Sequence, residues 1–180
     1  MIKLFSKIPT LENDNITLRK LEYDDAQFLS DFVQNKNVYK YLPTFLFEQQ
    51  YKDMKIMIKE LYEKCFKNKQ SLILGIYTQN GTTLCGLAEF YGYKAILQKT
   101  CIGYRIAENY WGKGIATQTV SLMVDYLYSQ TDIEIITAST MIENRASARV
   151  LEKNGFIKTD TNVTEDWGYS TPTLADKWFR

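Results

Sequence analysis

From Ser71 onward the chain lays down three strand-forming segments in succession and then changes to strand–helix–strand. Ser71–Thr78 (S-L-I-L-G-I-Y-T) reads as a buried strand, Gln79-Asn80-Gly81 as a hairpin turn, and Thr82–Tyr93 and Thr100–Ala107 as two more strands. The period then becomes helical over Ile115–Tyr128, with Ala116, Val120, Met123, Val124 and Leu127 on one face. Ile133–Ser139 is a β-branched strand, and Asn144–Asn154 is a short helix with Asn144 as N-cap and Gly155 just past its end. Phe156–Asp160 and Thr173–Phe179 supply the last strands. Hairpin strands are antiparallel, whereas a strand–helix–strand crossover joins parallel ones. The succession therefore requires a mixed sheet with helices on both faces, and it excludes a doubly wound parallel sheet.

Upstream, Ile16–Lys20 reads as a strand, and Glu22, Tyr23, Asp24 and Asp25 suit the start of a helix running to about Val33. Phe47, Tyr51, Met54, Ile58, Leu61 and Cys65 recur at steps of 4, 3, 4, 3 and 4, the stripe of one long amphipathic helix. Glu48, Lys52, Lys55, Lys59 and Glu63 fall largely off that stripe. The order is β-α-α-β-β-β-α-β-α-β-β. With 180 residues and no linker, the chain is expected to form a single domain over 1–180.

Composition removes several chemistries. Histidine is absent, so Ser-His-Asp and Cys-His catalysis and histidine metal sites are excluded. Cys65, Cys85 and Cys101 have no CxxC spacing, and neither a disulfide framework nor a metal site is expected. A net charge of +1 gives no bulk field for nucleic acid or an anionic membrane. The first residues lack a sustained apolar core and no apolar run reaches membrane-spanning length, so a cytoplasmic protein is expected.

The segment that carries chemistry is Gly103–Val120, G-Y-R-I-A-E-N-Y-W-G-K-G-I-A-T-Q-T-V. A strand ends, a glycine loop turns, and a helix begins, so unpaired amides backed by the helix dipole face whatever lies over the loop. Gly112 and Gly114 admit close approach by an anion and Lys113 adds charge; a plain strand-to-helix turn is the alternative. A Walker loop does not fit, because Lys113 is followed by Gly114. A dinucleotide fingerprint does not fit either, because Thr117 stands at its third glycine and only 63 residues follow.

This stretch resembles the acetyl-CoA motif of the GNAT acetyltransferase superfamily, in its ribosomal-protein N-terminal acetyltransferase branch, through a G-Y-x-[LI]-x-x-x-Y-W-G-K-G-x-A-T block. Asn144–Phe156 (N-R-A-S-A-R-V-L-E-K-N-G-F) is similar to the branch's N-x-x-S-x-x-V-L-E-K-x-G-F segment, and Val38–Leu42 to its V-x-[KR]-Y-L. The likeness covers about Ile16 to Asp160. It implies a mixed, mostly antiparallel sheet of six to seven strands, splayed between Thr100–Ala107 and Ile133–Ser139, with acetyl-CoA in the cleft. Pantetheine would pair with the backbone at Tyr104 and Ile106, and the diphosphate would lie over Gly112, Lys113, Gly114, Ile115, Ala116 and Thr117. Trp111 stands where the wider superfamily has Gln or Arg. Asn144 matches the asparagine that reaches the pantetheine arm, besides reading as a helix cap.

The resemblance also implies a proton donor to the departing thiolate. The tyrosine used by many members, four residues before the Gly-Phe pair, is Leu151 here. Ser147, one turn earlier on the same helix face, becomes the replacement, with space-filling as its other reading. For the general base the choices are a carboxylate, a tyrosine or a water chain; Glu89 alternates with Cys85, Leu87 and Tyr91 and is either desolvated and basic or a solvated strand glutamate. Tyr39, Tyr41, Phe45, Trp167 and Tyr169 are read as core or lid aromatics. The expected reaction is direct attack of a neutral amine on acetyl-CoA, with the oxyanion near the N–H of Ile106. The expected acceptor is an α-amine, such as a ribosomal or other protein N-terminus. A small amine (an antibiotic or polyamine) and a non-catalytic acyl-CoA or nucleotide module are the alternatives, and the sequence leaves open whether the chain is a homodimer.

Overall fold

The computed structural model of the protein describes residues 1–78 and 81–180; Gln79 and Asn80, in the expected hairpin turn, lie outside the described residues. Among the described residues eight strands form one sheet: β1 (Leu11–Glu12), β2 (Thr17–Arg19), β3 (Ser71–Thr78), β4 (Thr83–Lys94), β5 (Lys99–Ile106), β6 (Ile135–Met141), β7 (Ile157–Glu165) and β8 (Thr173–Phe179). Their spatial order is β1-β2-β3-β4-β5-β6-β8-β7, and every neighbouring pair is antiparallel except β5 with β6. The strand beyond the expected six to seven is β1, whose two residues are too few to show an alternation.

Helices cover both faces. On one, α4 (Ile115–Gln130) and α5 (Arg145–Lys153) bury Val120, Met123, Leu127 and Leu151 against Leu72, Leu74, Phe90 and Ile102. On the other, α1 (Ala26–Phe32), α2 (Lys36–Tyr39) and α3 (Met54–Glu60) bury Leu29, Val38, Met57 and Ile58 against Ile73, Tyr77 and Leu87. Among the described residues no helix is long and apolar enough to cross a membrane.

Three expectations are corrected. The long helix over Phe47–Cys65 is broken: Phe47–Gln50 is a 3-10 turn, Tyr51 is extended, and Asp53 opens α3 by accepting the N–H groups of Lys55 and Ile56. An aspartate that bonds the backbone in this way starts a helix better than it continues one. Helix α3 then loosens into a π turn at Leu61–Phe66. Glu48, expected on the solvated side, is fully buried. Finally, β4 carries one extra residue where Ile76↔Gly86 gives way to Tyr77↔Leu84. That bulge at Cys85 sends Cys85 to the α4 face and Leu87 to the α3 face, so the alternation through Glu89 and Tyr91 begins only at Leu87. The short helix α2 had not been expected; Asn35 caps it by accepting from the N–H groups of Asn37 and Val38.

Candidate active site

Strands β5 and β6 pair over three residues, Lys99↔Ile135, Thr100↔Ile136 and Cys101↔Thr137, and then part. The helical crossover between them fixes their parallel sense, while β4 and β8 hold their outer edges. Past Cys101 the two inner edges therefore face each other unpaired. A cavity of about 1730 Å³ occupies this fork and is lined from both faces of the sheet. The N–H of Ala107 donates to Cys85 O on β4. Strand backbone alternates, so the N–H groups of Ile106 and Tyr104 turn the other way, into the fork. The carbonyl of Ile106 accepts from the Trp111 indole N–H at 2.8 Å, which ties the loop after β5 to the strand end. Trp111 is thereby engaged with the protein itself.

On the α4 face the cavity runs over the glycine loop. Gly112 and Gly114 have φ of +72° and +76°, the left-handed region open to glycine. A Cβ on Gly112 would meet no protein atom, and one on Gly114 only the Gln118 amide at 3.8 Å, so the space over both is free. Gly114 caps α4 without a side-chain bond, leaving the first-turn amides of Ile115, Ala116 and Thr117 without intrahelical partners. Such a cradle fits the diphosphate of a CoA ester. The Lys113 ammonium lies 5.2 Å from the Tyr110 ring centre beside it.

Helix α5 begins on the same side. Its Asn154 amide donates to Thr117 O and so locks α5 to the first turn of α4. Asn144 accepts from the N–H of Ser147, and Leu151 lies in the core. The Ser147 hydroxyl accepts a 3.0 Å hydrogen bond from the phenol of Tyr104, which reaches it from β5. Burial pushes the Tyr104 phenol up to about 12, with the Ser147 bond working against the rise. Only the backbone of Tyr104 was singled out by sequence; a tyrosine beside a splayed strand edge is the signal that points to its side chain.

On the opposite face Arg105 bridges two carboxylates. Its Nη1 reaches Glu89 Oε2 at 2.7 Å and its Nη2 reaches Glu48 Oε2 at 2.6 Å. The other Glu89 oxygen accepts from the Ser71 hydroxyl, and the other Glu48 oxygen from the Tyr39 phenol at 2.9 Å. Desolvation first, and then the Glu48 charge, hold that phenol well above its usual range. Glu89 is thus not a solvated glutamate: it lines the cavity, 9% exposed, and each of its oxygens holds a hydrogen-bond partner. Farther out, Glu165 pairs with Lys177, which also donates to Ser139 Oγ at 2.9 Å. The aromatics read as a lid are stitched together: Thr44 N donates to Trp167 O at 2.9 Å and the Tyr169 hydroxyl to Leu42 O at 2.7 Å. No group of three or more metal-ligating side chains occurs among the described residues.

The comparisons agree with this geometry. A family profile described as "Acetyltransferase (GNAT) domain" matches residues 15–157. An uncharacterized N-acetyltransferase, p20, of Bacillus licheniformis is 30% identical over 151 residues, 83% of each chain. Among solved structures, a Vibrio cholerae spermidine N-acetyltransferase with CoA and spermine superposes with a TM-score of 0.76 at 23% identity, covering 93% of this chain and 96% of that one. The RimL ribosomal L7/L12 α-N-protein acetyltransferase with coenzyme A superposes at 0.80 and 17% identity, covering 96% and 97%. A fork in a mixed sheet, an open amide cradle at its mouth, and a family match across most of the chain lead to one conclusion: the protein belongs to the GNAT superfamily and is an acetyl-CoA-dependent N-acetyltransferase.

Proposed function

We propose that the protein transfers the acetyl group of acetyl-CoA to the α-amine of a protein or peptide N-terminus, by direct attack with both substrates bound. The observation that carries this reading is the state of the acids in the acceptor half of the cleft. Of the acids that line it, the two withdrawn from solvent are paired, Glu89 with Arg105 and Glu165 with Lys177, while the exposed Glu108 and Asp166 have only neutral hydrogen-bond partners. A cleft whose inner carboxylates are already paired suits an acceptor that loses its proton readily. An α-amine has pKa ~7.8 against ~10.4 for lysine, so at pH 7 roughly one α-amine in seven is neutral but about one lysine in 2,500. The apolar side chains of Leu42, Pro43, Phe45 and Trp167 at the cavity wall suit the first residues of an extended peptide.

In this reading the amides of Gly112–Thr117 hold the diphosphate and the backbone of Tyr104 and Ile106 aligns the pantetheine arm. The N–H of Ile106 faces the oxyanion. Asn144 sets the start of α5, and Ser147 gives its hydroxyl proton to the departing sulfur. The amine proton leaves through water in the open cleft; Glu89 holds Arg105 and takes no part in that transfer. Peptides bearing both a free α-amine and an internal lysine, incubated with enzyme and acetyl-CoA, should carry the acetyl group on the α-amine when mapped by mass spectrometry. Labelling of lysine alone, or of spermidine or aminoglycosides alone in a parallel screen, overturns the assignment.

A further inference from the structure

We infer that Tyr104 is the positioning residue behind the proton donor: its phenol holds the Ser147 oxygen and refills it as Ser147 protonates the leaving sulfur. The inference rests on the reading of Ser147 as donor. A serine hydroxyl rotates freely, and its single hydrogen can point anywhere its oxygen has no partner. Here the oxygen is taken at 3.0 Å by the Tyr104 phenol, so the hydroxyl hydrogen is directed elsewhere. Both side chains line the fork, on the face that carries the amide cradle.

The two groups come from elements far apart in the sequence that pack on the same face of the sheet. Tyr104 projects from β5 beyond the last residue that β5 shares with β6, and Ser147 lies in the first turn of α5. Were β5 and β6 paired to their ends, this contact would be closed off from the cavity. The splay leaves it standing at the throat, where a sulfur between the amide cradle and the fork would pass.

Chemically the step balances without another reagent. The amine nitrogen bonds the thioester carbon, the carbon–sulfur bond then breaks, and its electron pair stays on sulfur. The sulfur takes the Ser147 proton, the Ser147 oxygen takes the Tyr104 proton, and the phenolate recovers a proton from solvent. The proton released by the attacking amine returns to solvent as well. A lone serine would have to carry full alkoxide charge; the pair spreads it onto a phenol, which ionises far more readily. The phenol is protonated at neutral pH at its ordinary value, and burial, which raises it, makes the phenolate short-lived and quick to recover its proton.

The test is a double-mutant cycle of Tyr104→Phe and Ser147→Ala, with thiol release from acetyl-CoA as the readout and CoA affinity measured by calorimetry. Ser147→Ala should lower kcat by roughly 10²–10⁴ with CoA affinity nearly unchanged. Tyr104→Phe should lower kcat by about tenfold or more, leave KM for acetyl-CoA within twofold, and add nothing in the Ser147→Ala background. A Tyr104→Phe enzyme with wild-type kcat overturns the inference. An equal loss in both backgrounds also overturns it, because Tyr104 would then act independently of Ser147. Retained activity in Ser147→Ala alone overturns the donor role and this inference with it. Failure of the wild type to release thiol with any amine overturns the reading of the site as a whole.

Discussion

Arg105 lies between Glu48 and Glu89, and all three side chains are withdrawn from water. Coulombic attraction from the two carboxylates outweighs desolvation and holds the guanidinium protonated. A buried ion pair adds little net stability, but breaking one is costly because the partner is left charged and unsolvated. Arg105→Met should therefore destabilise the protein by about 3–5 kcal/mol, read from urea unfolding. Adding Glu48→Gln and Glu89→Gln should recover part of that loss by removing the stranded charges. A loss below about 1 kcal/mol for Arg105→Met would show that water reaches the cluster. The triad was not legible in the sequence. Glu48, Glu89 and Arg105 come from three separate segments, and nothing local to Glu48 distinguishes it from the solvated glutamates that follow it. Asn144 was legible as a helix cap because its segment carries a local capping signal.

The glycine loop and α4 form the element whose start was best defined by sequence alone. Its first residue, Ile115, and the bounds of β3 and β8 were all readable from local pattern, because a change of period or a glycine marks each of them. The break at Asp53 is not legible in the stripe, because an apolar stripe reports which face is buried, not whether the backbone is continuous between its members. For function, the cradle makes a sharp prediction. At Gly112 an added methyl meets no protein atom, so its effect on the chain is limited to the left-handed φ, about 1–2 kcal/mol. Gly112→Ala should nonetheless weaken CoA binding at least tenfold by calorimetry, with the protein still folded by thermal melt. Unchanged affinity would move the diphosphate away from this loop.

At the scale of the whole molecule, the cleft joins two faces with different duties. The α4 and α5 face carries the amide cradle and the Tyr104–Ser147 pair, and the opposite face carries the charged triad and the stitched segments around Thr44 and Trp167. Hydrogen exchange should separate the two. CoA should protect the start of α4, β5 and the start of α5, while residues 41–50 and 166–172 should slow only when an acceptor peptide is added. Protection of the second set by CoA alone would mean that the two halves close together. The order of elements from β3 onward, the mixed sheet and the glycine loop before α4 followed from sequence, because each rests on hydrophobic period, capping or glycine over a few consecutive residues. The parting of β5 from β6 was expected only through the family resemblance, and the bulge at Cys85, the burial of Glu48 and the meeting of Tyr104 with Ser147 were decided only in three dimensions. Each depends on where segments far apart in the chain come to lie, and no local pattern encodes that distance.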